Sequence, residues 1–556
     1  MVDTLIRRDQ PSGAVGGVAL IGDRARIWTL TVACIGVSLV VASMVALNTA
    51  LSDIAKVTGA TQSELNWVVD GYTVVLACLL LPAGAIGDRY GRRGALLVGL
   101  LIFSAASVTP AVFGSPMQII VARSVAGAGA AFVMPATLSL LTVAYPKEER
   151  MKAVGIWAGV AGSGGVFGMF GSGLLLHFWH WQSIFWALGA AGGALFVLAC
   201  TVSSSREADA PRVDWLGAAL IGAAVAVLVY AILEAPTRGW GNSVVWGGIA
   251  AGRAVAAIFG VVELRRPQPL LDVRLFGDPG FATGVGTIAI LFGATFGFFY
   301  LGMQYVQQIM GYSPLMTALA FGPFMVPLAT LSALSFWYVP KLGLRLVLVV
   351  GMLMMSVGFV CMGGLALHSS YFDLAWPALI LSGGIGLCTA PTTSAIMGAV
   401  PDENQGVASA VNDTTRELGA ALGIAVAGSI LAGRYTQELV PRLTAFPDAV
   451  RRPASDSLAK AVQVASRLGP QGSHLAEVSK ASFLTAMHAS TMVMAVIVAV
   501  AALLIGLWAP GRDGRQLRLV RRARASSRIS FDELGGPVRE HHNSGVRSAA
   551  GDRRQN

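Results

Sequence analysis

One short loop reads Gly84-Ala-Ile-Gly-Asp88-Arg89-Tyr-Gly91-Arg92-Arg93, where the apolar run 67–86 gives way to the run 94–113. The loop is too short to form a domain, so its charges must lie at a membrane interface. Its glycines allow a tight turn and a close approach of two backbones. Asp88 can pair with Arg92 or accept hydrogen bonds from the N-terminus of a neighbouring helix. We therefore predict a latch that holds one conformation of a membrane protein.

The composition of the whole chain is that of a membrane protein. Of its 556 residues, 54% are hydrophobic and 13% are charged, and the mean hydropathy is +0.65. These values exclude a soluble domain of ordinary charge content. The net charge of +10 predicts no nucleic-acid partner, because Lys and Arg lie between apolar runs and in the termini. The five cysteines lie in apolar runs without metal-ligand spacing, so neither disulfides nor a metal site is predicted.

Fourteen apolar runs are long enough to cross a bilayer, which takes roughly 20 residues per helix. They predict an all-α polytopic membrane protein with 14 transmembrane helices arranged as six, two and six. The first run is long enough to span and lacks a signal-peptide cleavage site, so we expect it to remain. The predicted spans are 27–48, 67–86, 94–113, 117–144, 153–176, 184–202, 215–233, 244–262, 281–303, 315–337, 344–367, 374–400, 407–431 and 483–508.

These runs also predict the division of the chain into segments. The tail beyond residue 510 is rich in Arg and too poor in apolar residues to form a core, so we expect it to be disordered. The predicted segments are a cytoplasmic N-terminal segment (1–26), an N-terminal six-helix bundle (27–203), two inserted helices with flanking linkers (204–280), a C-terminal six-helix bundle (281–509) containing a long extracytoplasmic loop (434–482), and a basic cytoplasmic tail (510–556).

Positive charge marks one side of the predicted membrane. Lys and Arg cluster in alternate short loops, whereas the opposite short loops offer only Lys56 and Arg238. Short loops rich in Lys and Arg stay in the cytoplasm, so we predict that both termini are cytoplasmic. The excess of Arg over Lys, with many Ala, Gly and Val residues, is typical of a GC-rich bacterial genome. We therefore expect a bacterial plasma (inner) membrane.

The charged loop resembles the second-to-third loop of the major facilitator superfamily, G-x-L-a-D-r-x-G-r-k. The fourth span resembles a second pattern of that superfamily, R-x-x-x-G-x-G-x-A, at Arg123, Gly127, Gly129 and Ala131. The resemblance implies the major facilitator fold, in which two six-helix bundles rock about a site near the midplane. The gating loop that it implies consists of Gly84, Asp88, Arg89, Gly91, Arg92 and Arg93.

Further segments resemble the fourteen-spanner drug:proton antiporter family and extend the likeness from about residue 28 to residue 508. They are Asp214-Trp-Leu-Gly217, Pro269-Leu-Leu-Asp272-Val-Arg274-Leu-Phe276 and Gly311-Tyr-Ser-Pro314. The resemblance implies proton-coupled efflux of amphipathic drugs and hence antibiotic resistance. The proton is the expected coupling ion, and no other cofactor is expected. The expected partners are a small amphipathic substrate, protons and membrane lipids, and the chain is expected to function as a monomer.

Arg123 lies in the fourth span, where an arginine costs on the order of 3 kcal/mol unless it faces a polar cavity or a partner. Asp70 in the second span can lie at the same depth, so we predict that the two form the proton-coupling pair. Family antiporters often carry an acidic residue in the first span, but Ser43 occupies that position here. The alternative for Asp70 is a residue that caps or solvates the helix entrance.

The fifth span is a run of small residues that lets helices pack backbone to backbone. It resembles the antiporter motif of exporters in the superfamily, with Met169 in place of the usual Pro. This resemblance implies export rather than uptake. The glycines assigned to the antiporter helix are Gly155, Gly159, Gly164, Gly168 and Gly171.

Three charges near the thirteenth span, Asp413, Arg416 and Glu417, have the helical spacing of three and four at which side chains meet. We predict a cytoplasmic charge lock, and the alternative is an ordinary interfacial salt-bridge network. For the substrate cavity, the superfamily's helix order points to the first and ninth spans among others. Aromatic and Met side chains adapt to varied apolar ligands, although such residues in membrane helices also simply face lipid. The predicted cavity residues are Asn48, Phe292, Phe296, Phe299, Tyr300, Met303 and Gln304.

The sequence favours secondary transport over an enzyme. It contains no G-x-x-x-x-G-K-[ST], G-x-S-x-G or H-E-x-x-H pattern, so neither ATP use nor hydrolysis is predicted. One charge crossing 100 mV supplies about 2.3 kcal/mol, which is sufficient for concentrative export. The alternatives are an exporter of an endogenous lipid, siderophore or metabolite, and a non-transporting membrane sensor.

Overall fold

The computed structural model describes residues 23–203, 213–444, 446–469 and 472–511. The predicted N-terminal segment lies outside these residues except for its last four. The linker 204–212 and the basic tail from residue 512 onward lie outside them entirely. The side chain of Asn48, one of the predicted cavity residues, is likewise outside the described part.

Long helices account for nearly all of the described chain, and their ends follow local capping signals. Thr61 and Glu64 form a capping box at the start of the second helix, and Ser115 and Gln118 form another at the start of the fourth. The first six helices are α1 (Asp23–Ala46), α2 (Gln62–Tyr90), α3 (Arg92–Val112), α4 (Pro116–Ala144), α5 (Lys147–Phe178) and α6 (Gln182–Ala199).

Two inserted helices and six further helices follow. The inserted helices are α7 (Trp215–Arg238) and α8 (Ser243–Arg265). The others are α9 (Pro279–Gln304), the broken α10 (Pro314–Ala320 and Met325–Ala333), α11 (Leu344–Met362), α12 (Tyr371–Gly398), α13 (Gln405–Leu439) and α14 (Gly472–Trp508). Within the described residues, 14 helical segments are long and apolar enough to cross a membrane, which confirms the predicted all-α class.

The structure differs from the predicted spans at two places. The tenth span is interrupted by the short turn Gly322–Phe324, where Pro323 lacks the N–H that a continuous α-helix requires. Most of the described part of the predicted long loop 434–482 is helical. Helix α13 continues to Leu439, helices Asp448–Asp456 and Leu458–Arg467 follow, and α14 begins at Gly472. The Tyr435 hydroxyl donates to the Ala454 carbonyl at 3.0 Å and ties this region to the end of α13.

Helix packing builds two groups of helices with a seam between them. Helices α1 to α6 pack with one another, and so do α9 to α14. The two groups meet along α2 and α13 and along α5 and α10. The inserted α7 packs against both α2 and α13, whereas α8 packs mainly against α7 and exposes much of its surface. The seam is therefore the place where side chains from both groups can share one site.

Candidate transport cavity and latch

A cavity of about 270 Å³ lies between the two groups of helices, and nearly all of its lining is apolar. Side chains of α1, α2 and α5 from the first group face side chains of α9, α12 and α13 from the second. Thr73 and Asp70 of α2 are polar exceptions, as are Arg416 and Glu417 of α13. An apolar cavity with a few convergent polar groups is the usual form of a small-molecule site.

Helix α9 supplies the aromatic wall of this cavity, because its residues at helical spacing share one face. The rings of Phe292 and Phe296 stack with centroids 6.3 Å apart, and Phe299 packs edge-on against Phe324 of the broken α10 at 5.2 Å. The predicted Gln304 is not among the lining residues, since its amide donates to the Tyr300 carbonyl at 3.4 Å. The α9 residues that line the cavity are Phe292, Phe296, Phe299, Tyr300 and Met303.

Arg123 does not pair with Asp70, so the predicted coupling pair is wrong as a contact. The Arg123 guanidinium donates to the Ser43 hydroxyl at 2.9 Å, to the Ser43 carbonyl at 3.0 Å and to the Val68 carbonyl at 3.4 Å. It also lies 4.2 Å from the ring centroid of Tyr72. Asp70 is roughly 200° around α2 from both residues 68 and 72, given about 100° per residue. Its side chain therefore faces the cavity, on the other side of the helix from Arg123.

The charged cluster of α13 lies inside the protein rather than at a membrane surface, which corrects the predicted cytoplasmic lock. Arg416 follows the start of α13 by eleven residues, or roughly 16 Å along the helix. Its guanidinium is 3.7 Å from the Asp413 carboxylate and donates to the Thr393 hydroxyl at 3.1 Å. Arg416 and Glu417 line the cavity, whereas Asp413 is fully buried behind them.

Aromatic rings from both groups of helices enclose the Arg416 guanidinium. Its central carbon lies 5.0 Å from the Trp157 ring of α5 and 4.9 Å from the Phe292 ring of α9. Among the described residues, Arg416 Nε, Asp413 Oδ2 and Glu417 Oε2 are buried without a hydrogen-bond partner. No sequence pattern predicted that Trp157 would reach this cation, because Trp157 lies on the glycine-rich helix of the other group.

The gating loop forms direct contacts between the two groups of helices. The Asp88 carboxylate pairs with Arg92 at 2.8 Å and accepts from the backbone N–H groups of Gly406, at 2.9 Å, and Val407, at 3.1 Å. These N–H groups begin α13, where the helix dipole favours a negative charge. Arg92 and Asp88 are both buried. One carboxylate thus connects α2 and α3 of the first group to α13 of the second.

A second ion pair extends this contact. Arg92 donates to the Asp402 carbonyl at 2.9 Å, and Arg150 at the start of α5 donates to both Asp402 carboxylate oxygens at 2.8 and 3.2 Å. Arg150 was visible in the sequence only as a positive-inside residue, and Asp402 was not singled out. We call the following residues the latch, and the nearby end of the seam the latch end: Asp88, Arg92, Arg150, Asp402, Gly406 and Val407.

The remaining residues of the gating loop shape its backbone or border it. Gly91 has φ of +111°, a region that favours glycine, and makes the turn between α2 and α3. A Cβ at Gly84 would collide with the Gly406 carbonyl and the Ala410 side chain, so the close approach of α2 to α13 requires a glycine there. Arg89 and Arg93 are half-buried beside the latch.

Four of the five glycines assigned to the antiporter helix pack against another helix. A Cβ at Gly155 would lie 2.5 Å from the Ser332 carbonyl, and one at Gly159 would lie 3.1 Å from Ala329, both on or beside α10. Gly164 and Gly168 instead face α1 in the same manner. Gly171 has no described atom within 4 Å of such a Cβ, so this position does not need a glycine for packing.

Comparisons with known proteins agree with this architecture. Residues 33–424 match the model of the Major Facilitator Superfamily. The chain is 33% identical to the multidrug resistance protein Stp of Mycobacterium tuberculosis over 77% of this chain and 80% of that protein. It is 28% identical to the tetracenomycin C resistance and export protein of Streptomyces glaucescens, over 89% of this chain and 94% of that protein. The structure of the proton:xylose symporter XylE shares its fold, with a TM-score of 0.55, 14% identity and coverage of 89% of this chain and 98% of that one.

Proposed function

The chain belongs to the major facilitator superfamily, and we propose that it carries amphipathic drugs out of a bacterial cell in exchange for protons. The resistance and export proteins among its relatives confirm the prediction of a drug exporter of this superfamily with many membrane-spanning helices. The proposal also includes proton coupling, the residues that perform it, the orientation of the termini and the monomeric state.

The observation that carries the proposal is one apolar cavity shared by both groups of helices, with a carboxylate from each. Asp70 comes from α2 and Glu417 from α13. A carboxylate in such a cavity can hold either a proton or the positive end of a substrate, and competition for one site couples their movements. Arg123 already has three hydrogen bonds elsewhere, so Asp70 is available for this exchange.

Besides a binding cavity, transport requires that access to the cavity can change, and the latch supplies a contact that can control this access. Asp88, Arg92 and Asp402 hold the two groups of helices together at the latch end. The Lys and Arg distribution supports a cytoplasmic location for that end. The described conformation then represents the stage at which cytoplasmic access is closed. Protonation of Asp70 from outside favours release of the drug, and its deprotonation toward the cytoplasm favours renewed capture.

The driving force available to such an exchange is adequate. Each net charge that crosses 100 mV supplies about 2.3 kcal/mol, equivalent to roughly a 50-fold concentration ratio. When one proton exchanges for one monovalent cation no net charge moves, and each unit of the pH gradient then supplies about 1.4 kcal/mol, or a tenfold ratio. The cycle converts no chemical bond in the drug, so we expect transport without enzymatic turnover.

The test is efflux of the cationic dye ethidium from cells that express the full chain, with and without a protonophore. The intact chain is compared with Asp70→Asn at matched expression, and Asp456→Asn serves as the control, because Asp456 is an exposed residue at the end of helix Asp448–Asp456. We expect protonophore-sensitive efflux that Asp70→Asn abolishes and Asp456→Asn preserves. Efflux that survives in Asp70→Asn would remove Asp70 from the mechanism. Absence of efflux for any drug, with export of a lipid or metabolite instead, would replace the proposed substrate class.

A further inference from the structure

The inserted helix α7 fills a gap that the two groups of helices leave between them. At the latch end α2 and α13 touch directly, through Gly84 and Gly406. Asp70 lies fourteen residues before Gly84, or roughly 21 Å along α2. At that depth α7 packs against both α2 and α13, whereas its partner α8 lies on the outer side of α7. The space that would otherwise be open to lipid beside Asp70 is thus occupied by protein.

The contacts of α7 with α2 are extensive. Val225 and Val229 form an apolar cluster with Ala77. Tyr230 stacks on Trp67 with ring centroids 5.9 Å apart. A membrane carboxylate such as Asp70 is costly when it faces lipid. These contacts therefore shield the α2 face that carries Asp70.

The contacts of α7 with α13 are equally specific. Ile232 packs with Ala421 and Ala425. The indole N–H of Trp240, just beyond the end of α7, donates to the Ser429 hydroxyl at 2.7 Å. One inserted helix is therefore fastened to a helix of each group, across the seam that has to move during transport.

One residue of α7 reaches the cavity itself. Leu233 lines it together with Asp70 and Thr73 of α2 and Ala420 and Ala421 of α13. Among the described residues that line the cavity, Leu233 is the one supplied by α7, and it packs with the clusters that contain the small Ala77 of α2 and Ala421 of α13. Its isobutyl group therefore occupies the cavity wall between these two helices. The cavity is small, at about 270 Å³, and a change of a few carbon atoms here alters the space beside Asp70.

We propose that α7 forms a side wall of the substrate cavity and that Leu233 sets how bulky an amphipathic drug the transporter accepts beside Asp70. The proposal rests on the proposed function and adds a selectivity residue from the inserted pair of helices. Shortening Leu233 makes room for wide polycyclic molecules. Enlarging it leaves room only for narrow planar ones. The two changes must therefore move selectivity in opposite directions.

The test measures kcat/KM for export of ethidium, a compact planar cation, and of rhodamine 6G, a bulkier one. The variants are Leu233→Ala and Leu233→Trp, and the matched controls are Leu216→Ala and Leu216→Trp. Leu216 lies on the same helix with half of its surface exposed. We expect Leu233→Ala to raise the ratio of rhodamine 6G to ethidium roughly three- to tenfold, and Leu233→Trp to lower it by a similar factor. The Leu216 variants should keep the ratio of the intact chain.

If Leu233→Ala or Leu233→Trp folds poorly, a labelling experiment on a cysteine variant tests the same position. Leu233→Cys should react with a small maleimide above the background of the intact chain, and bound rhodamine 6G should slow that reaction, whereas Leu216→Cys should show no protection. An unchanged ratio in an intact chain that exports both dyes, or labelling without protection, would overturn the role of Leu233 alone. An intact chain that exports neither dye nor any other drug would instead overturn the proposed function.

Discussion

Arg123 on α4 donates two hydrogen bonds to Ser43 on α1, one to its hydroxyl at 2.9 Å and one to its carbonyl at 3.0 Å. The same guanidinium reaches the Val68 carbonyl of α2, so it joins three helices of the first group. A buried guanidinium that donates to backbone and hydroxyl oxygens holds structure, and among the described residues Arg123 pairs with no carboxylate whose protonation it could control. The geometry thus separates Arg123 from Asp70, which the sequence suggested as its partner.

Replacing Arg123 by Ala should therefore reduce stability. The change removes three hydrogen bonds that the guanidinium donates to oxygens of α1 and α2, and charged hydrogen bonds of this kind contribute roughly 1.5 to 3 kcal/mol each. We expect a clear drop in the melting temperature of the detergent-solubilised protein. Ser43→Ala should cost much less, because the Ser43 carbonyl still accepts.

The control for this prediction is Arg253→Ala, which removes an exposed arginine from α8. It should leave the melting temperature nearly unchanged. If Arg123→Ala melts like the intact chain but loses the pH dependence of export, Arg123 participates in proton coupling after all.

Neutralising Arg416 should leave two buried carboxylates, Asp413 and Glu417, near each other without a cation. Breaking a buried ion pair by removing one partner costs about 3 to 5 kcal/mol. We expect Arg416→Gln to lower the yield of folded protein and to abolish export. Adding Asp413→Asn to Arg416→Gln restores charge balance, so the double variant should recover folded protein without recovering export.

Quantitative size-exclusion chromatography and dye efflux, measured on the same membranes, separate these two effects. A double variant as poorly folded as Arg416→Gln would show that charge balance does not explain the loss. A double variant with full export would show that Arg416 has no role in transport.

The sequence predicted the elements of this protein better than their orientation. Apolar runs gave the fourteen spans, because each span has to be long and apolar regardless of its neighbours. The gating loop could also be predicted from the sequence, since Asp88 and Gly91 have narrow chemical and conformational requirements. The relation of Asp70 to Arg123 could not be predicted, because matching depth in two helices says nothing about the direction in which each side chain points. The contact of Trp157 with Arg416 and the position of Leu233 depend on packing between distant segments, which no local pattern records.

Substituting Ala for Gly84 should open the latch end. The new Cβ would lie 2.8 Å from the Ala410 Cβ and would collide with the Gly406 carbonyl, so α2 and α13 must separate where Asp88 meets α13. We expect the population open at the latch end to increase by roughly tenfold, which corresponds to about 1.4 kcal/mol. The measurement is the rate at which a maleimide labels Ser409→Cys, whose parent serine is fully buried in α13.

The matched control for this change is Gly94→Ala, in the first turn of α3, because a Cβ at Gly94 would meet nothing within 4 Å. Labelling should stay at the rate of the Ser409→Cys chain in that background. Equal labelling rates in the Gly84→Ala and Gly94→Ala backgrounds would contradict a latch that depends on the approach of α2 to α13.

Helix α5 offers a pair of glycines for a direct comparison. A Cβ at Gly168 would lie 2.5 Å from the Ala42 carbonyl and 2.6 Å from its Cα, so Gly168→Ala must push α5 away from α1. Overpacking of this kind costs roughly 1 to 3 kcal/mol.

The matched control is Gly171, where an added Cβ would meet open space. Replacing a helical glycine by alanine there gains roughly 0.5 to 1 kcal/mol. Gly168→Ala should therefore lower the melting temperature in detergent and slow dye efflux, whereas Gly171→Ala should raise the melting temperature slightly and leave efflux intact. Equal losses in both variants would mean that flexibility of the α5 backbone, rather than its contact with α1, is what this glycine-rich helix provides.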